Sequence, residues 1–224
     1  MDWQAIALSL RLSVCTTVIL IVLGLPLGWW LASTRWRGRF LIEALVALPI
    51  VLPPTVLGYY LLMAMSPQSR GGQLYEAIFG SRLPFSFSGL LIASVLYSLP
   101  FAVQPFVSAF ATLDRRMIEA SWCLGVGRAG TFRRVVIPLA WPGILTGMVL
   151  SFAHTMGEFG VVLMVGGNLP GVTRTVSISI YDEVQALNYE AAGQTAMAML
   201  LFSFIVLAFT YSFQRRFTSL WTLR

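Results

Sequence analysis

Residues 12–32 read LSVCTTVILIVLGLPLGWWLA, an uncharged and almost wholly apolar run that contains the tryptophan pair Trp29–Trp30 near its end. About 20 apolar residues in an α-helix are enough to cross the hydrocarbon core of a bilayer. Tryptophan is enriched where such helices meet the lipid headgroups. The run therefore predicts a transmembrane helix over about residues 12–34 that ends at a membrane surface.

Four further segments have the length and hydropathy of transmembrane helices. They lie at about residues 43–65, 87–111, 141–165 and 194–213. The composition agrees, because 57% of the residues are hydrophobic and only 11% are charged, whereas a soluble domain carries about 25% charge. We therefore expect an all-α integral membrane protein with about five transmembrane helices, forming a single transmembrane domain over residues 1–224.

The basic residues, all of them arginine, concentrate in every second loop. They cluster in residues 35–39, in 114–140 and after residue 213, whereas 66–86 and 166–193 hold fewer arginines and several acids. Lys and Arg are in excess in cytoplasmic loops, so the N-terminus is predicted outside and the C-terminus in the cytoplasm. Because the arginines lie between apolar runs and not on one polar face, we expect contact with a lipid bilayer and not with nucleic acid.

Two of the predicted external loops are longer than a simple turn. The first contains GGQLYEAIFG (71–80), which is typical of a short surface helix. The second contains SISIYDEVQALNYEAAG (177–193), which is too polar to span the membrane but apolar enough to enter its interface. Whether residues 174–190 enter the membrane is left open by the sequence.

The second predicted span carries three prolines within six residues, Pro49, Pro53 and Pro54. Proline removes a backbone donor and breaks the helical ladder. In lipid, the carbonyl groups that lose a partner must be satisfied within the protein or by water in a cavity. The prolines therefore favour a broken helix that lines a pathway, with Thr55 and Gly58 beside it. A kinked packing helix is the alternative.

Four polar residues of the fourth predicted span share one helix face, since Ser151, His154, Thr155 and Glu158 follow the spacing i, i+3, i+4, i+7. An ionisable residue within a span usually faces the bundle interior or a cavity. Glu158 could couple transport to protons, contact a substrate, or bind a hydroxyl or backbone group. A carboxylate would repel an anion in its path, so a structural or gating role is favoured. His154 is predicted to be a packing residue, because no cluster of metal ligands accompanies it.

Residues 125–130 read GVGRAG, which has the glycine spacing of a dinucleotide-binding turn. Such a turn needs a strand before it, a helix after it and an acid about 20 residues further on. Here the apolar residues on both sides repeat at helical spacing, and the next acid is Glu158, inside a predicted span. We therefore predict a helix, a glycine turn and a second helix within the cytoplasmic segment 114–140. Asp114 would cap the first helix, and Gly125 would end it in the left-handed conformation.

The stretch EASWCLGVGRAGTFRRVVIPLAWPG (119–143) resembles the E-A-A…G…I-x-L-P signature of the permease subunits of bacterial ABC importers. The matched positions are Glu119, Ala120, Gly125, Ile137 and Pro138. Ser121 replaces the second alanine of the signature, which is a small departure.

Three other stretches look like the molybdate-type permeases of that family, to which the sulfate and tungstate permeases are related. They are LPIVLPPTVLGYYLL (48–62), GEFG (157–160) and NLPGVTRT (168–175). The resemblance thus extends over most of the chain.

The resemblance implies the type I permease fold of ABC importers, in which a coupling helix within 114–140 docks into a groove on the ATP-hydrolysing subunit. The residues expected to couple the two are Glu119, Ala120, Ser121, Leu124, Gly125, Ile137 and Pro138. It further implies a multi-pass homodimer in the bacterial cytoplasmic (inner) membrane, with two ABC ATPase subunits and a periplasmic or extracellular oxyanion-binding protein. The expected cargo is molybdate, with sulfate and tungstate as alternatives.

The chain contains no lysine, so it lacks the P-loop lysine with which a Walker A motor binds ATP. We expect no catalytic residue, metal or cofactor in this chain, and ATP and Mg²⁺ on the partner ATPase. The residues expected to line the pathway or its gate are Pro53, Pro54, Thr55, Gly58, Ser151, Thr155 and Glu158. A proton-coupled secondary carrier that uses Glu158, and a membrane scaffold that transports nothing, are the competing classes.

Overall fold

The computed structural model describes the backbone of residues 1–222 and the side chains of residues 1–212. The regular structure of these residues is helical, in eleven α-helices and one π-helical turn. The elements are α1 (Trp3–Ser33), α2 (Arg39–Val51), α3 (Pro54–Met65), α4 (Arg70–Phe79), α5 (Phe87–Ala111), α6 (Arg115–Cys123), α7 (Arg128–Thr131), the π-helical turn (Phe132–Val136), α8 (Ile137–Gly157), α9 (Gly160–Gly166), α10 (Val176–Gln185) and α11 (Tyr189–Thr222).

Four helical runs within the described residues are long and apolar enough to cross a membrane. They are α1, α5, the run from α7 to α8 (Arg128–Gly157) and the Tyr189–Ser212 part of α11. A fifth is present if the bent pair of α2 and α3 is counted as one span. The prediction of an all-α protein with about five transmembrane helices is confirmed for this part of the chain.

The helix limits agree with hydropathy at some ends and differ at others. The predicted span at 87–111 coincides with α5. Helix α1 begins at Trp3, well before residue 12, because the Asp2 carboxylate caps its first turn by accepting a hydrogen bond from the Ala5 amide (3.0 Å). Helix α11 begins at Tyr189, before the predicted start at residue 194.

The two long connections predicted outside the membrane both contain a short helix. The stretch GGQLYEAIFG lies in α4, which ends at Gly80 in the left-handed conformation. The stretch 177–193 contributes to α10 and to the first turn of α11. With ten residues, α10 is too short to cross a bilayer, which takes about 20.

The second span breaks between α2 and α3, whose axes meet at 112°. Leu52 has an extended backbone (ψ 136°), and so does Pro53 (ψ 135°). A residue that precedes a proline avoids the α conformation, and here both Leu52 and Pro53 do. Pro54 then occupies the first turn of α3, where its missing N–H costs no hydrogen bond. The break expected from the prolines is therefore present.

The fourth predicted span, 141–165, is also broken, and this break was not predicted. Helix α8 ends at Gly157, Glu158 has an extended backbone (ψ 136°), and the chain resumes as α9 at Gly160. At its other end the helical run starts at Arg128, before the predicted limit. The span thus begins earlier than hydropathy indicates and is interrupted at the acid that hydropathy placed inside it.

The two breaks lie against each other, because α9 packs on α3. A Cβ atom added at Gly160 would lie 2.7 Å from Cβ of Pro54, and one added at Gly58 would lie 2.7 Å from Cβ of Met164. Both distances are too short for real carbon atoms, so each glycine is needed for the helices to approach this closely. Small residues allow such close backbone contact between membrane helices.

Helices α1, α5 and α8 form the core of the bundle around Phe106, which is fully buried. Its side chain packs on two glycine surfaces. A Cβ added at Gly28 of α1 would lie 3.0 Å from Cβ of Phe106, and one added at Gly147 of α8 would lie 2.5 Å from its Cε1. The ring therefore fills the space that glycine leaves on both neighbouring helices.

We expect Gly147→Ala to destabilise the bundle by about 1–3 kcal/mol, the usual cost of overpacking a core. The added methyl group would overlap the Phe106 ring and would lie 2.8 Å from the Ala102 carbonyl oxygen. Thermal unfolding in detergent measures the effect. Gly193→Ala in α11 is the matched control, because a Cβ there meets nothing within 4 Å. Equal stability of the two variants would contradict the packing described here.

Candidate functional site

Helix α6 and the turn that follows it form the first candidate site. The Asp114 carboxylate accepts a hydrogen bond from the Arg116 amide (2.9 Å) and caps the helix. Gly125 has φ +78°, and its amide donates to the Trp122 carbonyl (2.9 Å). The predicted cap and the predicted left-handed glycine are therefore both present. A residue other than glycine would be strained at this φ.

A hydroxyl pair fastens α6 to the next helix. Ser121 Oγ lies 2.9 Å from Thr131 Oγ1, and both residues are buried. Thr131 Oγ1 also donates to the Val126 carbonyl (3.4 Å). Ser121 is the position at which the chain departs from the family signature. The departure has a structural use, since the hydroxyl group binds a partner ten residues further on.

The residues predicted to couple do not share one face of α6. Leu124, at 83% exposure, and Ala120 are open to the surroundings, whereas Ser121 points into the turn. Glu119 lies on another face, which it shares with Arg115, Ile118 and Trp122 at the spacing i, i+3, i+4, i+7. Together with the ends of α1 and α5, this face lines a cavity of about 360 Å³. The sequence spacing could have revealed this face.

Ile137 and Pro138 lie inside a continuous helical run and not at its start. The run begins at Arg128 and passes through the π-helical turn into α8. Within the turn, the Ile137 amide donates to the Phe132 carbonyl, five residues back. Proline has no N–H to continue an α-helical ladder, and this wider turn immediately precedes Pro138. In α8 itself, which begins at Ile137 directly after this wider turn, Pro138 lies in the first turn.

A polar ladder joins α5 to α8 inside the bundle. Ser94 Oγ donates to Glu158 Oε2 (3.0 Å). One turn along α5, Ser98 Oγ lies 2.8 Å from Thr155 Oγ1 and 2.9 Å from Nδ1 of His154. Ser94, Ser98, Thr155 and Glu158 are all at most 4% exposed. These bonds cross between helices, so the ladder ties the broken span to its neighbour.

The other residues of the predicted face support this ladder. Ser151 is buried and donates to its own helix, at the Gly147 carbonyl (2.8 Å). The His154 ring stacks on Phe101 with ring centroids 3.9 Å apart, which fits its predicted packing role. The described residues contain no group of three His, Cys, Asp or Glu that could hold a metal ion.

Glu158 is buried at the break itself, with 4% exposure. Its Oε2 accepts the bond from Ser94, but its Oε1 has no hydrogen-bond partner among the described residues. Buried polar atoms are normally hydrogen-bonded. Glu158 thus lies between α8 and α9 with one carboxylate oxygen bound to α5 and the other able to accept a further hydrogen bond.

The predicted pathway residues fall into two separate groups. Pro53, Pro54 and Thr55 are exposed on the surface of the single chain, and Gly58 is covered by α9. Ser151, Thr155 and Glu158 are buried between α5 and α8. The two groups are connected by the packing of α9 on α3, for example where Gly160 contacts Pro54. A pathway beside Thr55 would therefore run along the outside of the single chain.

At the opposite end of the bundle from α6, a charged cluster holds the start of α1 to α10. Arg174 donates from Nε to Asn168 Oδ1 (2.6 Å) and lies 3.9 Å from the Asp2 carboxylate and 3.6 Å from that of Asp182. The Val176 amide also donates to Ser9 Oγ (2.8 Å). The sequence alone could not predict this cluster, because its partners on α1, Asp2 and Ser9, lie far from Arg174 in the chain.

Comparison with known proteins gives one family. Residues 24–219 match the family model described as the binding-protein-dependent transport system inner membrane component. The molybdenum transport system permease protein ModB of Azotobacter vinelandii is 53% identical over 96% of this chain and 95% of its own length. The protein of that name from Escherichia coli strain K12 is 34% identical over 92% of this chain and 89% of its own. The sulfate transport system permease protein CysT of Salmonella typhimurium is 34% identical over 88% of this chain and 70% of its own length.

Solved structures show the same fold at low sequence identity. A bacterial alginate ABC transporter, solved in complex with an alginate-bound periplasmic protein, has a chain with a TM-score of 0.77 and 17% identity, covering 96% of this chain and 78% of its own. A chain of the inward-facing methionine ABC transporter MetNI has a TM-score of 0.75 and 16% identity, and the match covers 96% of this chain and 95% of that one. The chain belongs to the family of inner membrane components of binding-protein-dependent transport systems.

Proposed function

We propose that this chain is the permease subunit of an ATP-driven importer of molybdate. The observation that carries the proposal is the 53% identity, over nearly the whole chain, with the molybdenum permease of Azotobacter vinelandii. The sulfate permease of Salmonella typhimurium, at 34% identity, keeps sulfate as the second candidate. Tungstate is the third, because it has nearly the size and the same charge as molybdate.

The proposed assembly contains two copies of the chain with the pathway between them. Pro53, Pro54 and Thr55 are exposed in the single chain, and the flanking surface carries large apolar side chains such as Val51 (80% exposed) and Tyr60 (63%). A second copy that covers this surface would place the break between α2 and α3 beside the pathway. The backbone groups freed at the break would then face water in a cavity, as the bilayer requires.

The proposed orientation places α6 in the cytoplasm and the Arg174 cluster outside. Arginine-rich segments at the α6 end support this choice, by the excess of basic residues in cytoplasmic loops. Two ATPase subunits would bind the exposed side of α6 around Ala120 and Leu124, and an external binding protein would deliver the oxyanion at the other end. ATP and Mg²⁺ belong to the ATPase subunits, and this chain contributes no catalytic residue.

In the proposed coupling, α7 and α8 transmit the movement of α6 along their length. The Ser121–Thr131 bond and the Gly125 turn fix α6 to the helical run Arg128–Gly157. At 1.5 Å per residue that run is about 45 Å long, so it reaches from the coupling turn to the break at Glu158. A movement of α6 would then reach α3 through the contact of Gly160 with Pro54. Each conformation is favoured only by the differential free energy of nucleotide and substrate binding.

Glu158 takes a structural or gating role in this proposal. Its bond to Ser94 holds the break against α5, and the carboxylate is buried within one chain and away from the exposed Thr55 surface. An anion in the proposed pathway would therefore not meet this charge directly. The proton-coupled carrier, in contrast, needs Glu158 to exchange a proton during transport.

Reconstitution with the cognate ATPase and binding protein tests the proposed function. We expect molybdate uptake into liposomes that requires ATP, persists when the proton gradient is collapsed, and is competed by tungstate more strongly than by sulfate. Uptake that persists without any ATPase and stops with the proton gradient would support the secondary carrier. Absence of any saturable uptake would support the scaffold.

We expect Gly125→Val to uncouple transport. A branched side chain at φ +78° costs roughly 1–2 kcal/mol, so the turn would relax and α6 would shift. Molybdate uptake is expected to fall about tenfold while the protein remains in the membrane. Gly127→Val is the matched control, because Gly127 has φ −66° and a Cβ atom added there meets nothing within 4 Å. Normal ATP-driven uptake by the Gly125 variant would refute the coupling turn.

The Glu158→Gln variant distinguishes the proposed gating role of Glu158 from proton-coupled transport. Glutamine keeps an oxygen that accepts the Ser94 bond, but it cannot exchange a proton in its place. We expect uptake to stay within about twofold of the unmodified protein, since the main interhelical bond is kept. Glu43→Gln serves as the control, because its surface pair with Arg39 (3.6 Å) is exposed. Complete loss of uptake in a stably folded Glu158→Gln protein would favour the proton-coupled class.

A further inference from the structure

The lining of the cavity behind α6 combines apolar and charged side chains. Its volume is about 360 Å³, and it lies between the last turns of α1 and α5 and one face of α6. Apolar side chains, including Phe110, Leu113 and Ile118, form one part of the lining. The indole rings of Trp29 and Trp122 form another part. Such a lining suits a molecule with an apolar body.

Charged groups also line this cavity. Arg35 and Arg115 reach it from two different segments, and Glu119 reaches it from the same helix as Arg115. None of the three is in an ion pair within the part of the chain that the structure describes. The lining therefore carries two guanidinium groups and one carboxylate that form no ion pair, which leaves a net positive charge.

The position of the cavity in the bundle determines the level of the membrane at which a bound molecule would lie. Helices α1 and α5 are both candidate spans, and the cavity lies where both of them end. Tryptophan side chains are typical of this level of a membrane, where the hydrocarbon meets the headgroups. In the proposed orientation this is the cytoplasmic leaflet, in which basic clusters attract anionic lipids.

From these features we propose that the cavity binds the headgroup of an anionic phospholipid of the phosphatidylglycerol type. Its phosphate lies between Arg35 and Arg115, because guanidinium groups bind phosphate oxygens with paired hydrogen bonds. The glycerol hydroxyls of the headgroup donate to the Glu119 carboxylate. The first part of the acyl chains lies along Trp29 and Phe110. The lipid thus bridges two spans to the face of α6 that carries Glu119.

The test compares two double variants that remove equal charge. Arg35→Gln with Arg115→Gln empties the cavity of cations, whereas Arg37→Gln with Arg116→Gln removes their neighbours, which are exposed and do not line it. The full chain is purified in detergent and titrated with phosphatidylglycerol, and bound lipid is counted by native mass spectrometry. We expect retention to fall about tenfold in the cavity variant and to stay within about twofold in the control.

Two binding measurements on the unmodified protein test the lipid site even if the variants are unstable. Phosphatidylglycerol is expected to bind at least about fivefold more tightly than phosphatidylcholine, whose quaternary ammonium offers Glu119 no hydrogen-bond donor. Millimolar inorganic phosphate is expected not to displace it, because phosphate alone gains nothing from the apolar part of the lining. Equal loss in both double variants, equal binding of the two lipids, or displacement by free phosphate would each overturn the lipid site.

Discussion

The close contact between Gly160 and Pro54 is the interaction on which the arrangement of the broken spans depends. Each of two helices is interrupted within an apolar stretch, and an interrupted backbone in lipid has no water to bind. The protein places the interruptions against each other, and α9 packs closely on α3 where Gly160 meets Pro54 and Gly58 meets Met164. A side chain at either glycine would separate the two helices. The Ser94–Glu158 bond then fixes this paired break to α5.

In the proposed coupling, the same contact connects the α6 end of the bundle to the surface around Thr55. The helical run Arg128–Gly157 begins just after the Gly125 turn and stops at the break at Glu158. From there the connection passes through Gly160 to Pro54, and so to the exposed surface around Thr55. None of these steps needs a charged residue in the proposed pathway. An anion there can therefore bind weakly and be released. In the proposed cycle, the energy therefore comes entirely from the partner that moves α6.

The sequence predicts the parts of this structure that local chemistry decides, and it misses those that distant contacts decide. The break at Pro53 was predicted because proline lacks an amide hydrogen, and the left-handed Gly125 because a helix must end before a polar turn. The break at Glu158 was missed, since glycine flanks alone do not interrupt an apolar helix and the partner Ser94 lies 64 residues away. The face of α6 that holds Glu119 could have been predicted, because its spacing is helical. The cavity behind it could not, because α1 and α5 complete it.

Distances between the two copies, measured by spin labels at two positions, test the mechanical connection most directly. In a protein without Cys15 and Cys123, labels at Arg128→Cys report on the start of the helical run fastened to α6, and labels at Thr55→Cys report on the surface beyond the paired break. Arg128 is exposed and lies outside the side of α6 around Leu124 that is proposed to bind the ATPase. We expect ATP, added to the complete complex, to shorten the Arg128 distance and to change the Thr55 distance over the same range of nucleotide concentration. An Arg128 distance that responds while the Thr55 distance stays constant would contradict the proposed connection.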